Sequence, residues 1–395
     1  MTEALDFPFG DYDRLNPSST ESADDPVRVR LPHGGEAWLV RRHDHVRAVL
    51  SDPRFSRART IGSDIPRSTE AIPSDTFPNL LSMDPPDHTR LRRIGAKALS
   101  ARGIAAYEPH VQRVIDDCLD RMTDLGPPAD LMAHFAWPVA ITVMCQFLGV
   151  PVEDRATFGH WADVEMTVTQ YSRAEIMAAR HQMQDYIRQL VKRRQSEPAD
   201  DFLTVLVQAG HEEDLSEDEI VGFGSALLTA GYETTANQFG LFLYVLLTHP
   251  DELARLRSDP GLLDAAVEEL LRFVPFFESA VIPQPRMATA DVEVGGVTIR
   301  AGECVYADLG IAGRDPLVFE RPDELDLARP VNPHVAFGHG IHHCIGAPLA
   351  RLELRIGLGT LLRRLPGVQL AVEESDLTWL RGGLMRGLET LPLTW

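Results

Sequence analysis

Three observations predict a mainly α-helical fold with a minor β region. Helical periodicity runs through most of residues 88–273 and again over 346–364. One segment, 216–248, is apolar on most sides and reads as a long helix through the centre of the molecule. Period-two alternation is confined to short stretches at 28–40, at 291–308 and at the end of the chain.

In chain order, Arg28–Leu31 and Ala37–Val40 alternate around Pro32-His33-Gly34-Gly35 and predict a hairpin. Asp44 can cap a short helix through Leu50. Residues 51–80 lack periodicity and are expected to form a long irregular region, of the kind that often carries function. Helices are expected at 88–99, 103–125, 129–148, 152–170, 173–195 and 201–209. The basic run Lys192-Arg193-Arg194 suits a solvated helix C-terminus. Ser216 and Glu219 form a capping box for the long helix. Helices at 250–257 and 261–273 follow, then strands around Gly295-Gly296 and Ala301-Gly302, a Pro-rich irregular stretch at 314–336, and a last helix over 346–364. No repeat or low-complexity linker divides the 395 residues, so one domain, 1–395, is expected.

With 44% apolar and 24% charged residues the composition is globular. A net charge of −20 disfavours sequence-independent nucleic-acid binding. The N-terminal stretch is acidic, and no apolar run is long enough to span a bilayer; no membrane association and a cytoplasmic location are expected. Cys118, Cys145, Cys304 and Cys344 are scattered, with no C-x-x-C pair, and the first three read as buried reduced thiols.

Cys344 differs in its surroundings, Phe337-Gly338-His339-Gly340-Ile341-His342-His343-Cys344-Ile345-Gly346. Glycines at 338, 340 and 346 allow turns that other residues resist and a close approach to a flat ligand. Pro348 suits the first turn of the following helix, whose free N–H groups would stabilise a thiolate. The residues alone leave a structural thiol, a nucleophile and a zinc ligand open beside an axial sulfur. No second Cys or His pair lies at zinc-ribbon spacing. Within the long helix, Ala230-Gly231-Tyr232-Glu233-Thr234-Thr235 places polar groups in an apolar run, and Thr234 can bond the carbonyl of Ala230. Taken alone, this is as readily a kink with a satisfied threonine.

The Cys344 stretch resembles the heme-binding signature of the cytochrome P-450 family, F-x-x-G-x-x-x-C-x-G. The resemblance extends in order over about residues 28–392 and is strongest to soluble bacterial members. It implies the cytochrome P-450 fold, with a long helix over heme b (iron protoporphyrin IX). It makes Cys344 the axial thiolate and metal ligand, sets Phe337 beside it with Gly346 closing the motif, and directs His342 to a heme propionate; His343 receives no role. The 230–235 stretch resembles the oxygen-activation motif. Gly231 and the Thr234 bond to the Ala230 carbonyl would then open a notch that holds dioxygen, Thr234 would orient it, and Glu233 would relay protons. Asp84-Pro85-Pro86-Asp87-His88-Thr89-Arg90-Leu91-Arg92 resembles the segment whose histidine and arginine, here His88 and Arg92, bind propionates, and Arg286 looks like a third such ligand. Glu269 and Arg272 match the structural E-x-x-R pair, with Arg329 as third partner and Arg314 as its rival. Gly313 stands where asparagine is more usual.

The resemblance implies a monooxygenase that oxidises a hydrophobic small molecule with dioxygen, in secondary metabolism. Leu80, Leu81, Met83, Ala226, Thr229, Ala230, the segment after Pro275 and the turn at Leu384-Met385 would line the pocket. Phe276 and Phe277 read equally as pocket or plain core. No G-x-G-x-x-G follows a strand, so electrons are expected from a separate ferredoxin and ferredoxin reductase. Arg351 and Arg355, four apart on one helix face, are either a solvated basic face or a docking patch for an acidic ferredoxin. Radical C–C or C–N coupling or ring closure without oxygen insertion is the alternative outcome. A non-catalytic heme sensor or carrier and a zinc hydrolase are the alternatives of other classes.

Overall fold

The computed structural model describes residues 4–9, 15, 25–69, 79–166, 170–213, 215–278 and 281–395. Strand β1 (Leu5–Asp6) precedes a hairpin of β2 (Val27–Leu31) and β3 (Gly35–Val40), in the place the alternation predicts. Helix α1 (His43–Ser51) follows with a different cap from the expected one. Asp44 lies inside the first turn, and Asp315 Oδ2 accepts the N–H of His43 at 2.8 Å. A carboxylate remote in sequence thus replaces a local cap. The region expected to be irregular contains β4 (Phe55–Ser56) and a 3-10 turn at Ala58–Thr60; its residues 70–78 lie outside the described residues.

Helices α2 (Asp87–Ala98) and α3 (Ala101–Asp124) fall where periodicity places them. The helix expected at 129–148 is divided into β5 (Ala129–Asp130), a π-helical turn (Met132–Ala136) and α4 (Trp137–Leu148). Asp130 is the cause: its carboxylate accepts the N–H groups of Met132 at 3.2 Å, Ala133 at 3.1 Å and the distant Leu391 at 2.7 Å. The helix expected at 152–170 is a 3-10 turn (Val152–Asp154) and α5 (Arg155–Met166), and 167–169 lie outside the described residues. Then come α6 (Arg173–Ser196), α7 (Phe202–Glu213) and α8 (Glu217–Thr248). The capping box of α8 is formed: Ser216 Oγ accepts the Glu219 N–H at 3.2 Å, and Glu219 Oε2 accepts the Ser216 N–H at 2.9 Å. The remaining elements are α9 (Pro250–Ser258), α10 (Leu263–Phe273), β6 (Arg286–Ala288), β7 (Val292–Val294), β8 (Val297–Ile299), β9 (Cys304–Ala307), α11 (Leu309–Ala312), α12 (Ala347–Arg364), β10 (Gln369–Leu370) and β11 (Pro392–Thr394). Among the described residues no helix is long and apolar enough to cross a membrane.

The chain gathers into two compact units. The first comprises Met1–Thr89 and Glu268–Cys344 and is built on a mixed six-stranded sheet of order β1-β2-β3-β9-β6-β4. Alternation puts Val29, Leu31, Ala37, Leu39 and Tyr306 in one core, and Val40, Phe55 and Val305 in another with Val46 and Val49 of α1. The second comprises Arg90–Val267 and Ile345–Trp395. There α8 packs against α4, α5, α6, α7 and α12, which is why its sequence is apolar on most sides. Of the basic run ending α6, Arg193 pairs with Glu197 in solvent. Arg194 departs from the solvated expectation: it is nearly buried and bonds Asp201 at 2.5 Å and the carbonyl of Gly149 at 2.9 Å.

In the first unit, Glu269 of α10 is fully buried and fully met. Its carboxylate accepts Arg272 at 2.7 and 2.8 Å, Arg329 at 2.9 Å, Asn332 at 3.1 Å and the Asp326 N–H at 3.1 Å. Arg329 is thus the third partner, whereas Arg314 turns to Asp323 and the carbonyl of Phe273. Removing the carboxylate would leave the Arg272 guanidinium, itself fully buried, without its counter-charge. Glu269→Ala is therefore expected to cost about 3–5 kcal/mol in denaturant unfolding. Arg321→Ala, which breaks an exposed pair with Glu324, is expected to cost at most about 1 kcal/mol.

Candidate functional site

The Cys344 loop is closed by its own backbone. The Cys344 N–H donates to the Phe337 carbonyl at 2.8 Å, and the Gly338 N–H to that of Val335 at 2.7 Å. Gly338 and Gly340 take φ of +73° and +69°, and a Cβ at Gly340 would stand 2.4 Å from the Leu50 carbonyl oxygen. Glycine is required at both. Gly346 is different: with φ −81° it is the ordinary N-cap of α12, so no special turn accounts for it. The loop leaves Cys344 exposed, whereas Cys118, Cys145 and Cys304 are buried. Burial pushes their thiols up, Cys145 to about 12 and Cys304 to about 11, which suits inert core residues.

Two expected donors meet in the first unit: the rings of His88 and His342 lie 4.5 Å apart. Arg286 stands inside the sheet, on β6, almost wholly buried, with Nη1 donating to the Phe55 carbonyl at 3.3 Å. Its Nε has no hydrogen-bond partner. Desolvation, then the nearby Arg57 charge, lowers its pKa to about 10 against the opposing pull of Asp84. Arg57 was not singled out in the sequence; no spacing marks it, and long-range bonds to the carbonyls of Leu81 and Pro285 hold it in place. Arg57 and Arg286 are two buried guanidiniums acting on one another, the donor type that makes charge-assisted bonds to a ligand carboxylate. Arg92 lies four residues beyond His88 on α2 and is half-buried.

In the second unit α8 is buried along most of its length, but Ala226, Ala230, Gly231 and Thr234 are at least partly exposed. Steps of four put Ala226, Ala230 and Thr234 on one face, an open stripe on an otherwise enclosed helix. Thr234 Oγ1 donates to the Ala230 carbonyl at 2.5 Å, as expected. Gly231 has a packing reason: a Cβ would come within 2.4 Å of Met144 Sδ on α4. Helix α8 runs unbroken through it. Thr229 leaves the stripe. It is buried and donates to Glu165 at 3.0 Å, and Glu165 accepts Arg180 at 3.0 Å, so a buried ion pair between α5 and α6 claims it. The C-terminal turn is tied to α5 by Leu384 N–H donating to the Met166 carbonyl at 2.9 Å. In the first unit Phe276 and Phe277 pack edge to face and line a cavity with Phe7, Phe9 and Ile282.

Glu233, beside Thr234, is buried, and its Oε2 has no hydrogen-bond partner. Burial, reinforced by the charge of Asp163, raises its pKa to about 8. Near neutral pH this carboxyl is mostly a neutral acid.

An accessible cysteine in a glycine-turned loop, with cationic groups suited to carboxylates, fits one class: a heme protein whose iron would take a cysteine sulfur. The cytochrome P450 family profile matches residues 32–368. Nocardicin C N-oxygenase of Nocardia uniformis subsp. tsuyamanensis is 45% identical over all of this chain and 99% of its own length. Mycinamicin IV hydroxylase/epoxidase of Micromonospora griseorubida is 44% identical over 94% of this chain and 93% of its own. The crystal structure of the LnmA cytochrome P450 hydroxylase, from the leinamycin biosynthetic pathway of Streptomyces atroolivaceus, superposes with a TM-score of 0.92 at 47% identity, covering 99% of this chain and 100% of that one. The chain belongs to the cytochrome P450 family, as a bacterial heme-thiolate monooxygenase with heme as its cofactor.

The raised pKa of Glu233 has a sign. The folded state keeps a proton that the unfolded chain releases in the usual carboxylate range, so this group's favourable contribution is lost as pH rises from there to about 8. Glu233→Gln is therefore expected to raise the unfolding temperature at pH 8, with the gain shrinking towards pH 5; differential scanning at both pH values checks it.

Proposed function

We propose that this enzyme oxidises a hydrophobic small molecule in secondary metabolism, inserting one atom of dioxygen and releasing the other as water at the expense of two electrons and two protons. The observation that carries the reading is Glu233, a buried acid kept neutral one residue before Thr234, at the edge of an apolar stripe. A heme carrier or sensor has no use for such an acid. The N-oxygenase and hydroxylase/epoxidase activities in two relatives' names support oxygen insertion as the reaction.

Cys344 would hold the heme iron through its sulfur, and Phe337 holds the loop through its carbonyl. His88, Arg92, Arg286 and His342 would receive the heme carboxylates, and the buried guanidiniums of Arg286 and Arg57 fit that task. Heme held through a thiolate would supply dioxygen activation at this site. The chain's own part is to deliver protons. Thr234 is positioned by its bond to the Ala230 carbonyl, and Glu233 gives up a proton and is reloaded from solvent. Ala226, Ala230 and Gly231 offer an apolar surface to the substrate. The whole chain, 1–395, works as one catalytic domain, as a family match spanning both compact units supports.

Electrons come from a separate ferredoxin and its reductase. Arg351 and Arg355 of α12 remain the proposed docking charges, although Arg355 is already engaged by Glu108 at 3.1 Å and Asp264 at 3.7 Å. Docking would exchange those carboxylates for ones on the ferredoxin.

Two outcomes follow. In Thr234→Ala, product formed per electron pair is expected to fall on the order of tenfold while heme content stays normal; product and peroxide assays with a surrogate ferredoxin system measure it, and intact coupling would remove Thr234 from the mechanism. Reversing charge at Arg351 and Arg355 is expected to slow reduction by ferredoxin and flatten its salt dependence, as read by stopped-flow. Unchanged rates at every ionic strength would refute the patch.

A further inference from the structure

Helix α10 carries a second acid beside Glu269. Glu268 Oε2 stands 2.9 Å from Nε2 of His334, whose side chain is only 4% exposed. The other ring nitrogen, Nδ1, accepts the N–H of Ala336 at 3.2 Å. An accepting ring nitrogen carries no proton, so this backbone donor fixes the tautomer: His334 is neutral, and its Nε2–H donates to the carboxylate. A side chain that accepts the N–H two residues on closes a turn of the kind asparagine makes. From there the bonds run on towards the cysteine. The Ala336 N–H and the Val335 carbonyl belong to one peptide unit, and that carbonyl accepts the Gly338 N–H at 2.7 Å. The Gly338 N–H and the Phe337 carbonyl belong to another, and that carbonyl accepts the Cys344 N–H at 2.8 Å. Four bonds in one direction therefore join the Glu268 carboxylate to the Cys344 amide. All of these residues belong to the first compact unit.

We propose that His334 and Glu268 are positioning residues for the sulfur ligand, acting through this chain of bonds on both the place and the electrostatic surroundings of Cys344. The proposal rests on the reading of Cys344 as the ligand of the heme iron. Place follows from the two peptide units, each held at its N–H and at its carbonyl, so that neither can rotate without breaking two bonds. The electrostatic effect follows from direction. Every donor in the chain points towards Glu268, so both peptide dipoles turn their positive ends to the carboxylate and their negative ends to Cys344. Hydrogen bonds arranged head to tail polarise one another, and a fixed anion at the positive end sustains that order. The sulfur then lies in a more negative potential, which favours the oxidised iron. Glu269 has no share in this, since its carboxylate is committed to Arg272, Arg329, Asn332 and the Asp326 N–H. The two adjacent acids of α10 divide the approach to the cysteine, Glu269 holding it as far as Asn332 and Glu268 from His334 onward.

The test takes two readouts on the heme-loaded protein: hydrogen–deuterium exchange of the 335–344 backbone by mass spectrometry, and the midpoint potential of the iron. His334→Phe keeps a ring beside that of Phe337, 6.4 Å away, but offers no acceptor. Exchange in the segment is expected to quicken about tenfold, the worth of one hydrogen bond, and the potential to shift positive. His334→Asn, whose Oδ1 can accept the Ala336 N–H, is expected to return exchange to the native rate. Glu268→Gln keeps an acceptor for His334 and removes only the charge. Its exchange is expected to stay native while its potential still shifts positive, an effect that packing alone does not produce. Exchange unmoved by His334→Phe, or left fast in His334→Asn, would overturn the positioning role, and a potential unmoved by Glu268→Gln would overturn the electrostatic one. A native protein without the spectrum of thiolate-ligated heme would instead overturn the reading of Cys344, and the exchange rates would still decide whether the chain of bonds holds the loop.

Discussion

The carboxylate of Glu269 is the constraint on which the cysteine side of the molecule depends. It sits in the first compact unit with no exposure to solvent, and that state is tolerable only because Arg272, Arg329, Asn332 and the Asp326 N–H all donate to it. The same Arg272 also donates to the carbonyls of Gly313, Pro322 and Glu324. One buried charge pair therefore pins α10 to an irregular stretch that has almost no secondary structure of its own. That stretch leads directly into Phe337 and the cysteine loop. A rigid approach allows the loop to present an exposed sulfur without being a mobile loop, since two backbone bonds and two left-handed glycines complete the job locally.

The helical side obeys a different economy. Helix α8 is surrounded by other helices, and its sequence leaves one face for chemistry, with small residues at 226 and 230 and a hydroxyl at 234. Next to that face, Glu233 is placed where an ion would be costly, so the acid holds its proton near neutral pH. A proton donor must resist losing its proton to bulk water and still be reloaded. Burial provides the first property.

Local signals in the sequence were strong for the helices and the motif. The capping box at Ser216 and Glu219, the Thr234 bond to Ala230 and the choice of Arg329 over Arg314 all follow from spacing or motif and are present. What the sequence did not disclose depends on partners remote along the chain. Asp315 caps α1, Asp130 draws the start of an expected helix into pairing near Leu391, and Arg57 is aimed by carbonyls at 81 and 285. The Glu165–Arg180 pair belongs to the same group, because α5 and α6 look like ordinary amphipathic helices until they are packed. Gly346 misled in the other direction, since a motif glycine there has ordinary helical geometry.

The central claim is that Cys344 is the sulfur ligand of the heme. The most direct measurement is the absorption spectrum of the reduced, carbon monoxide-bound protein, taken for the native chain and for Cys344→His. The account predicts the red-shifted band of thiolate-ligated heme in the native protein and its replacement by a histidine-type spectrum in the variant. A histidine-type spectrum in the native protein, or a thiolate band that survives the substitution, would contradict it.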